Sequence, residues 1–366
     1  MINSKISTSE AIMIIVSIIS AHIILTIPND FLKERQSGTI INIIYVSILA
    51  IIFAYIVYRL FKSFPSSDIL DISEFLGGKI LKNILGFLFI SYFITTSAMF
   101  LRNFGESLKV IYYPMTNVSL IILFFIIAIS IGNKLNFNAT IKTNLIIIPI
   151  VLISILLLFF SNFKNFVPNK IFPLLGNGFV DTFVTGIGNI FAFSGIVFMY
   201  FMPPLLKEPE KFKKIAITSM IISSIYLLIS VSTLLFIFSF FTSIEEIMPL
   251  YSAARYIEFG SFFQRLESVF ILFWIISYAC YLSILSKFSI LIFKKIGNLK
   301  DYKPLVYPFS LLLFGISLLP ENYAQSKLYA SNYFPYIVIG LIFIIVPIVL
   351  ILSNIKKKQK KEGELL

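Results

Sequence analysis

Apolar runs recur along the whole chain, and each approaches the roughly 20 residues that carry a helix across a bilayer. Ten such runs fall at about 10–28, 39–61, 83–104, 118–132, 143–161, 182–202, 215–240, 268–290, 304–319 and 334–353, with the fourth and ninth shorter than the roughly 20 residues a span needs. None shows the strict alternation of a membrane barrel, so helices are the expected form. Charged residues are 13% of the chain, against about a quarter in a soluble domain. The expected fold is an all-α integral membrane protein. The first run has no basic leader or small-residue cleavage site, so it reads as a retained span.

The net charge of +12 raises nucleic acid as a partner, but topology accounts for it better. With a cytoplasmic N-terminus, roughly two-thirds of the basic residues fall on inner segments, as the positive-inside rule requires. Both termini are then cytoplasmic, and the tail 354–366, "NIKKKQKKEGELL", anchors on the anionic bilayer surface. Residues 1–353 form one transmembrane domain.

Spans one to five and six to ten echo each other. "IPNDFLKE" (27–34) follows span one and "MPPLLKE" (202–208) follows span six. Pro65 precedes Gly77 after span two, and Pro249 precedes Gly260 after span seven. "PIVLI" occurs in span five (149–153) and in span ten (347–351). Five is odd, so the second set crosses in the opposite sense. The expectation is a five-plus-five inverted repeat, with repeat one at about 8–161 and repeat two at about 180–353, and with discontinuous first and sixth helices. The expected breaks are 20–28 and about 191–204, where Ser194 and Gly195 loosen the helix and Pro203 and Pro204 end it.

His22, the one histidine of the chain, falls in the first break, and a polar side chain at membrane depth is a functional candidate. The candidate ligand site comprises Ala21, His22, Ile23 and Ile24 of span one and Phe191, Phe193, Ser194 and Gly195 of span six. Span three adds Tyr92, Thr95, Thr96 and Met99, spaced three and four apart. Span eight adds Trp274, Ser277, Tyr278 and Tyr281 in the same pattern. Interhelical packing by these hydroxyls is the competing reading. Arg102 and Glu106, four apart, suggest a gate or an interfacial anchor.

Several chemistries are disfavoured. Cys280 is the only cysteine, which excludes an internal disulfide and a cysteine metal cluster. A second histidine is lacking, so no metal site is expected. Acidic residues lie in loops or at span ends, which argues against a carboxylate proton relay. No phosphate loop or Ser–His–Asp pattern is present. Neither an enzyme nor a cofactor is implied.

The whole chain, from about Lys5 to Lys357, resembles the spore germination permease family, the B subunits of nutrient germinant receptors. The resemblance rests on "KISTSEAIMIIVSIISAHIILTIP" (5–28), "YRLFKSFPSSDILDISEFLGGKILKNILGF" (58–87), "LRNFGESLKVIYYPMT" (101–116), "FPLLGNGF" (172–179) and "FSGIVFMYFMPPLLKEPEKFKK" (193–214), in that order. It implies the fold of amino-acid/polyamine/organocation carriers and a small nutrient ligand such as an L-amino acid. It also implies a membrane A subunit and a lipoprotein C subunit as partners, in the spore inner membrane. The family's first break reads like G-T-G-I-L; here Ala21, His22, Ile23, Ile24 and Leu25 stand there, so the glycines are replaced and a histidine is new. An acid often follows the span-six glycine in the family; Ile196 and Val197 follow Gly195 here. The reading is a germinant-receptor membrane subunit that signals through its partners. An independent amino-acid permease and a scaffold subunit with a vestigial pocket are the alternatives.

Overall fold

The computed structural model describes residues 5–25, 27–135, 137–238, 247–257 and 267–363. Every regular element among them is helical. A helix satisfies its own backbone hydrogen bonds, which is what long apolar runs require in lipid. In chain order the elements are α1 (Thr8–Leu25), α2 (Ile27–Arg35), α3 (Thr39–Phe61), α4 (Ile69–Tyr112), α5 (Val118–Lys134) and α6 (Phe137–Ser161). A π-helical turn, Val180–Val184, then leads into a 3-10 helix, Thr185–Tyr200, called the tight helix below. There follow α7 (Phe212–Ile237), α8 (Pro249–Arg255), α9 (Glu267–Ile296), α10 (Val306–Ser317), α11 (Tyr323–Asn332), α12 (Phe334–Val338), a π-helical stretch Ile339–Ile345, and α13 (Val346–Gly363).

Among the described residues, eight helical segments are long and apolar enough to cross a membrane, and α5 and Lys303–Ser317 are shorter apolar helices at the positions of the fourth and ninth runs. The protein is therefore a multi-pass, all-helical membrane protein. Gly260 and the end of the seventh run, 239–240, lie outside the described residues.

Burial separates two kinds of helix. α1 is apolar on all sides and buried almost throughout, because α4, α6, α7, α9 and the tight helix surround it. α3 instead exposes Ile44, Ile48, Ile52 and Ile56, a stripe at spacing four, while Ala50, Ala54 and Val57 are buried. Such outward apolar stripes suit a lipid solvent and would be an aggregation hazard in water.

The basic segments gather at one end of the bundle. Lys356 Nζ donates to the carbonyls of Phe75 and Leu76 at 3.0 and 2.9 Å. Asn354 donates to the Leu60 carbonyl at 3.0 Å. Lys287 Nζ donates to the Asn133 carbonyl at 2.6 Å, and Ile6 pairs with Leu206 in an isolated bridge. The opposite end holds Arg35, bonded to Asp181 and Thr185, and Arg102, whose Nη2 donates to the Glu321 carbonyl at 3.2 Å.

At the basic end the start of α4 is strongly specified. Asp68 is the N-cap, accepting from Leu70 N at 2.9 Å and Asp71 N at 3.1 Å, and Asp71 returns the bond to Asp68 N. Lys295 at the end of α9 pairs with both carboxylates, at 2.7 and 2.6 Å. Within α4, Gly77 and Gly78 interrupt the helix, with Gly78 at φ 69°, where a side chain would be strained. Asp68→Ala is expected to lower stability by about 1–2 kcal/mol, the cost of a lost cap. Asp68→Asn, which can still cap, should lose less. Thermal unfolding of the detergent-purified protein checks this, and equal losses in the two variants would rule out the cap as the cause.

Candidate functional site

The site forms where α1 meets the tight helix. A 3-10 run of 16 residues is unusual, since such runs seldom exceed three or four, and it marks a hinge or a strained segment. Phe193 departs further, with φ −90° and ψ 26°. Next to it the two backbones touch. A Cβ added to Gly195 would lie 2.7 Å from the Ile15 carbonyl oxygen and 2.9 Å from Ile19 Cγ1. Only glycine permits that approach.

The close crossing brings Ser194 to His22, with Ser194 Oγ 3.2 Å from Nδ1. The other ring nitrogen, Nε2, lies 2.7 Å from Tyr281 Oη of α9. A neutral imidazole has one donor and one acceptor, so two hydroxyls satisfy it completely without charge. On α4, Tyr92 and Thr96 are buried, with Tyr92 within electrostatic reach of Ser194. Three helical segments thus meet through one polar chain, Tyr281–His22–Ser194.

Aromatic rings close around it. Phe100 stacks on His22 with centroids 4.1 Å apart and planes 9° from parallel. Tyr281 and Phe334 each approach the imidazole edge-on, both at 5.3 Å. His22 is 0% exposed, so this conformation is occluded.

The residues expected at the site divide into those that meet and those that do not. Ser194 and Tyr281 join His22 directly, and Tyr92 and Thr96 are buried on α4, with Tyr92 within electrostatic reach of Ser194. Phe191 packs edge-on against Phe31 and Phe334. Phe193 is fully buried next to Ser194. Thr95 faces outward and its hydroxyl bonds back to the Ser91 carbonyl. Met99 is only partly buried against the core. Trp274, Ser277 and Tyr278 are buried on the α9 face that carries Tyr281, with Tyr278 stacked on Phe104 at 4.2 Å. Trp274 Nε1, Ser277 Oγ and Tyr278 Oη have no hydrogen-bond partner among the described residues. Arg102 and Glu106 form a buried ion pair at 2.8 Å, and α11 is held beside them by Ser326 bonding to Asn103 Oδ1.

Ala21, Ile23 and Ile24 require a correction. They were expected in an unwound break, yet they are buried in regular α-helix as far as Leu25, and α2 begins at Ile27. No glycine or proline stands between Ala21 and Leu25, so nothing interrupts the helix there. Residue 26 lies outside the described residues. The expected backbone ligands are therefore internally bonded, and the side chain of His22 carries the polarity instead.

Phe100 and Phe334 were missed. Phe100 does continue the spacing Tyr92–Thr96, a signal available in the sequence. Phe334 had none, being one of 40 phenylalanines. Among the described residues no group of three or more His, Cys, Asp or Glu side chains is placed to hold a metal.

A helical bundle with outward-facing apolar stripes is a polytopic membrane protein. The chain belongs to the spore germination protein family, whose model matches residues 5–326. It is similar to three proteins of Bacillus subtilis strain 168. Spore germination protein YndE is 26% identical over 330 residues, 87% of this chain and 88% of that protein. Spore germination protein A2 is 25% identical over 348 residues, 92% of each. Spore germination protein KB is 23% identical over 319 residues, 84% of each.

Proposed function

We propose that this chain is the membrane subunit of a spore germinant receptor and that a small nutrient, an L-amino acid, binds between α1, the tight helix, α4 and α9. The single observation that carries this is the occluded polar cluster at the Gly195 crossing, flanked by the unpartnered donors of Trp274, Ser277 and Tyr278. A buried donor without a partner costs about 1–3 kcal/mol. A ligand carboxylate is the natural acceptor for such groups, and the Phe100 and Phe334 rings suit an apolar side chain.

The order of neighbours supports an inverted repeat of ten spans. Exchange α1 for the tight helix, α3 for α7, α4 for α9, α5 for α10 and α6 for α13. Three pairs of packed helices then exchange with each other. α1 packs on α7 and the tight helix on α3; α9 on α6 and α4 on α13; α9 on α5 and α4 on α10. In this reading the two repeats meet at the α1–tight helix crossing, where transporter folds bind substrate. The clustering of basic segments at one end supports a cytoplasmic location for both termini.

Binding acts by differential affinity for two conformations. In this reading α11 and the Arg102–Glu106 pair form the outer gate, and ligand entry displaces Phe334. The bias passes to the A subunit and, with the C lipoprotein, triggers germination from the spore inner membrane. The test is equilibrium binding and time-dependent uptake of labelled L-amino acids in vesicles carrying this chain with its A and C partners. Saturable binding without accumulation is expected. Accumulation in the lumen by this chain alone would replace the receptor reading with a permease. No binding with both partners present would overturn the nutrient site.

A further inference from the structure

At the basic end of the bundle a cavity of about 580 Å³ is lined by Tyr55, Tyr58, Arg59, Lys62, Ser63 and Lys213. It is remote from the His22 cluster and shares no residue with it. Its walls carry three cations and no carboxylate. Neighbouring cations at this end are neutralised: Lys82 by Glu74, Lys295 by Asp68 and Asp71, Lys211 by Glu208. Among the described residues Arg59, Lys62 and Lys213 have no such partner, and all three lie within electrostatic reach of Tyr55. Arg59 donates to Tyr55 Oη at 3.4 Å, and Lys213 Nζ sits 5.6 Å from the centre of the Tyr55 ring.

Apolar stripes lead away from this cavity on both helices that form it. α3 exposes Ile44, Ile48, Ile52 and Ile56, and α7 exposes Ile221 and Ile225 at spacing eight and twelve from Lys213. The two helices pack side by side, with Phe212 at the start of α7 edge-on to Tyr58 and Phe61 at the end of α3. From Ile56 to Ile44 the stripe is about 18 Å long at 1.5 Å per residue. One leaflet of hydrocarbon is about 15 Å deep. Charge, tyrosine rim and apolar length together match a single lipid molecule.

We infer that this cavity is a binding site for an anionic phospholipid, whose phosphodiester headgroup sits among Arg59, Lys62 and Lys213 while its acyl chains follow the α3–α7 stripes. The site joins the two helices and is expected to hold the basic end of the bundle in register. Polybasic positions at a membrane surface contribute about fivefold in affinity each.

Native mass spectrometry of the detergent-purified full chain tests this with phosphatidylglycerol, phosphatidylcholine and inorganic phosphate as probes. Phosphatidylglycerol is expected to be retained at least about tenfold better than phosphatidylcholine. That preference should vanish in the triple variant R59Q/K62Q/K213Q and fall about fivefold in Lys213→Gln alone. Lys300→Gln, an exposed lysine at the same end outside the cavity, should leave it unchanged. Equal retention of the two lipids, or a preference that survives the triple variant, would overturn the site. Displacement of phosphatidylglycerol by millimolar inorganic phosphate would reassign it to a soluble phosphate anion. Because the side chains are exposed, the variants test binding without altering the core.

Discussion

Gly195→Val is expected to uncouple the protein from its nutrient and to lower its stability. The added Cβ would meet the Ile15 carbonyl oxygen at 2.7 Å and Ile19 Cγ1 at 2.9 Å, distances that real Cβ atoms do not show. The first contact is with backbone, which cannot rotate away, so α1 and the tight helix must separate. Overpacking of this kind costs about 1–3 kcal/mol, and valine adds two further methyl groups at the same point. Separation also pulls Ser194 from His22 Nδ1, a bond already at 3.2 Å. The cluster then loses its link between α1 and the tight helix. Gly195→Ala should give the same effects at smaller size. Gly315→Ala is the control, because a Cβ there meets nothing within 4 Å, and alanine is favoured over glycine in a helix by up to about 1 kcal/mol. Thermal unfolding of the purified variants and nutrient dose–response in spores read the two effects. A Gly195→Val protein as stable and as responsive as Gly315→Ala would show that the close crossing is irrelevant.

Replacement of His22 by phenylalanine has the second large effect. The ring keeps its stack on Phe100 and its edge contact with Phe334, so packing is largely retained and hydrogen bonding is removed. Tyr281 Oη then loses its 2.7 Å partner in a fully buried position. Ser194 gives up a longer contact, at 3.2 Å, so its loss is smaller. Orphaning the Tyr281 hydroxyl costs about 1–3 kcal/mol. Removing that hydroxyl as well, in H22F/Y281F, should recover part of the loss, since partners in one network are non-additive by about 0.5–3 kcal/mol. On the nutrient side, His22→Phe should raise the concentration for half-maximal germination about tenfold or more, the equivalent of one hydrogen bond to a charged group at about 1.5–3 kcal/mol. Additive stability losses would show that His22 and Tyr281 are not coupled. An unchanged dose–response would place the nutrient elsewhere.

These two residues show where sequence reasoning reaches and where it stops. His22 stands out in the sequence because it is a lone imidazole in an apolar run. Its partners do not stand out, since Tyr281 is 259 positions away and one of 18 tyrosines. The helical spacing of Tyr92 and Thr96 was legible, but the same spacing admitted Thr95, which turns outward and satisfies itself on Ser91. Spacing defines an arc of a helix, and an arc about 100° wide includes side chains that point past the site. The stretch Ala21–Ile24 was read as unwound from position alone. The chemistry of alanine and isoleucine keeps it helical, and at the site the irregular winding falls on the tight helix.

What the sequence determined by itself is the class of structure. Apolar run length compels helices in lipid, and the lysine distribution groups the loops on two sides. The cap and kink at Asp68, Gly77 and Gly78 are local too, because turn chemistry and glycine freedom act within a few residues. Tertiary structure alone decided which polar groups meet. It set the Gly195 crossing, the enclosure of His22 by Phe100 and Phe334, and the convergence of Arg59, Lys62 and Lys213. In a chain so rich in equivalent apolar residues, contact between distant helices depends on shape at the crossing, and shape is not encoded in any single run.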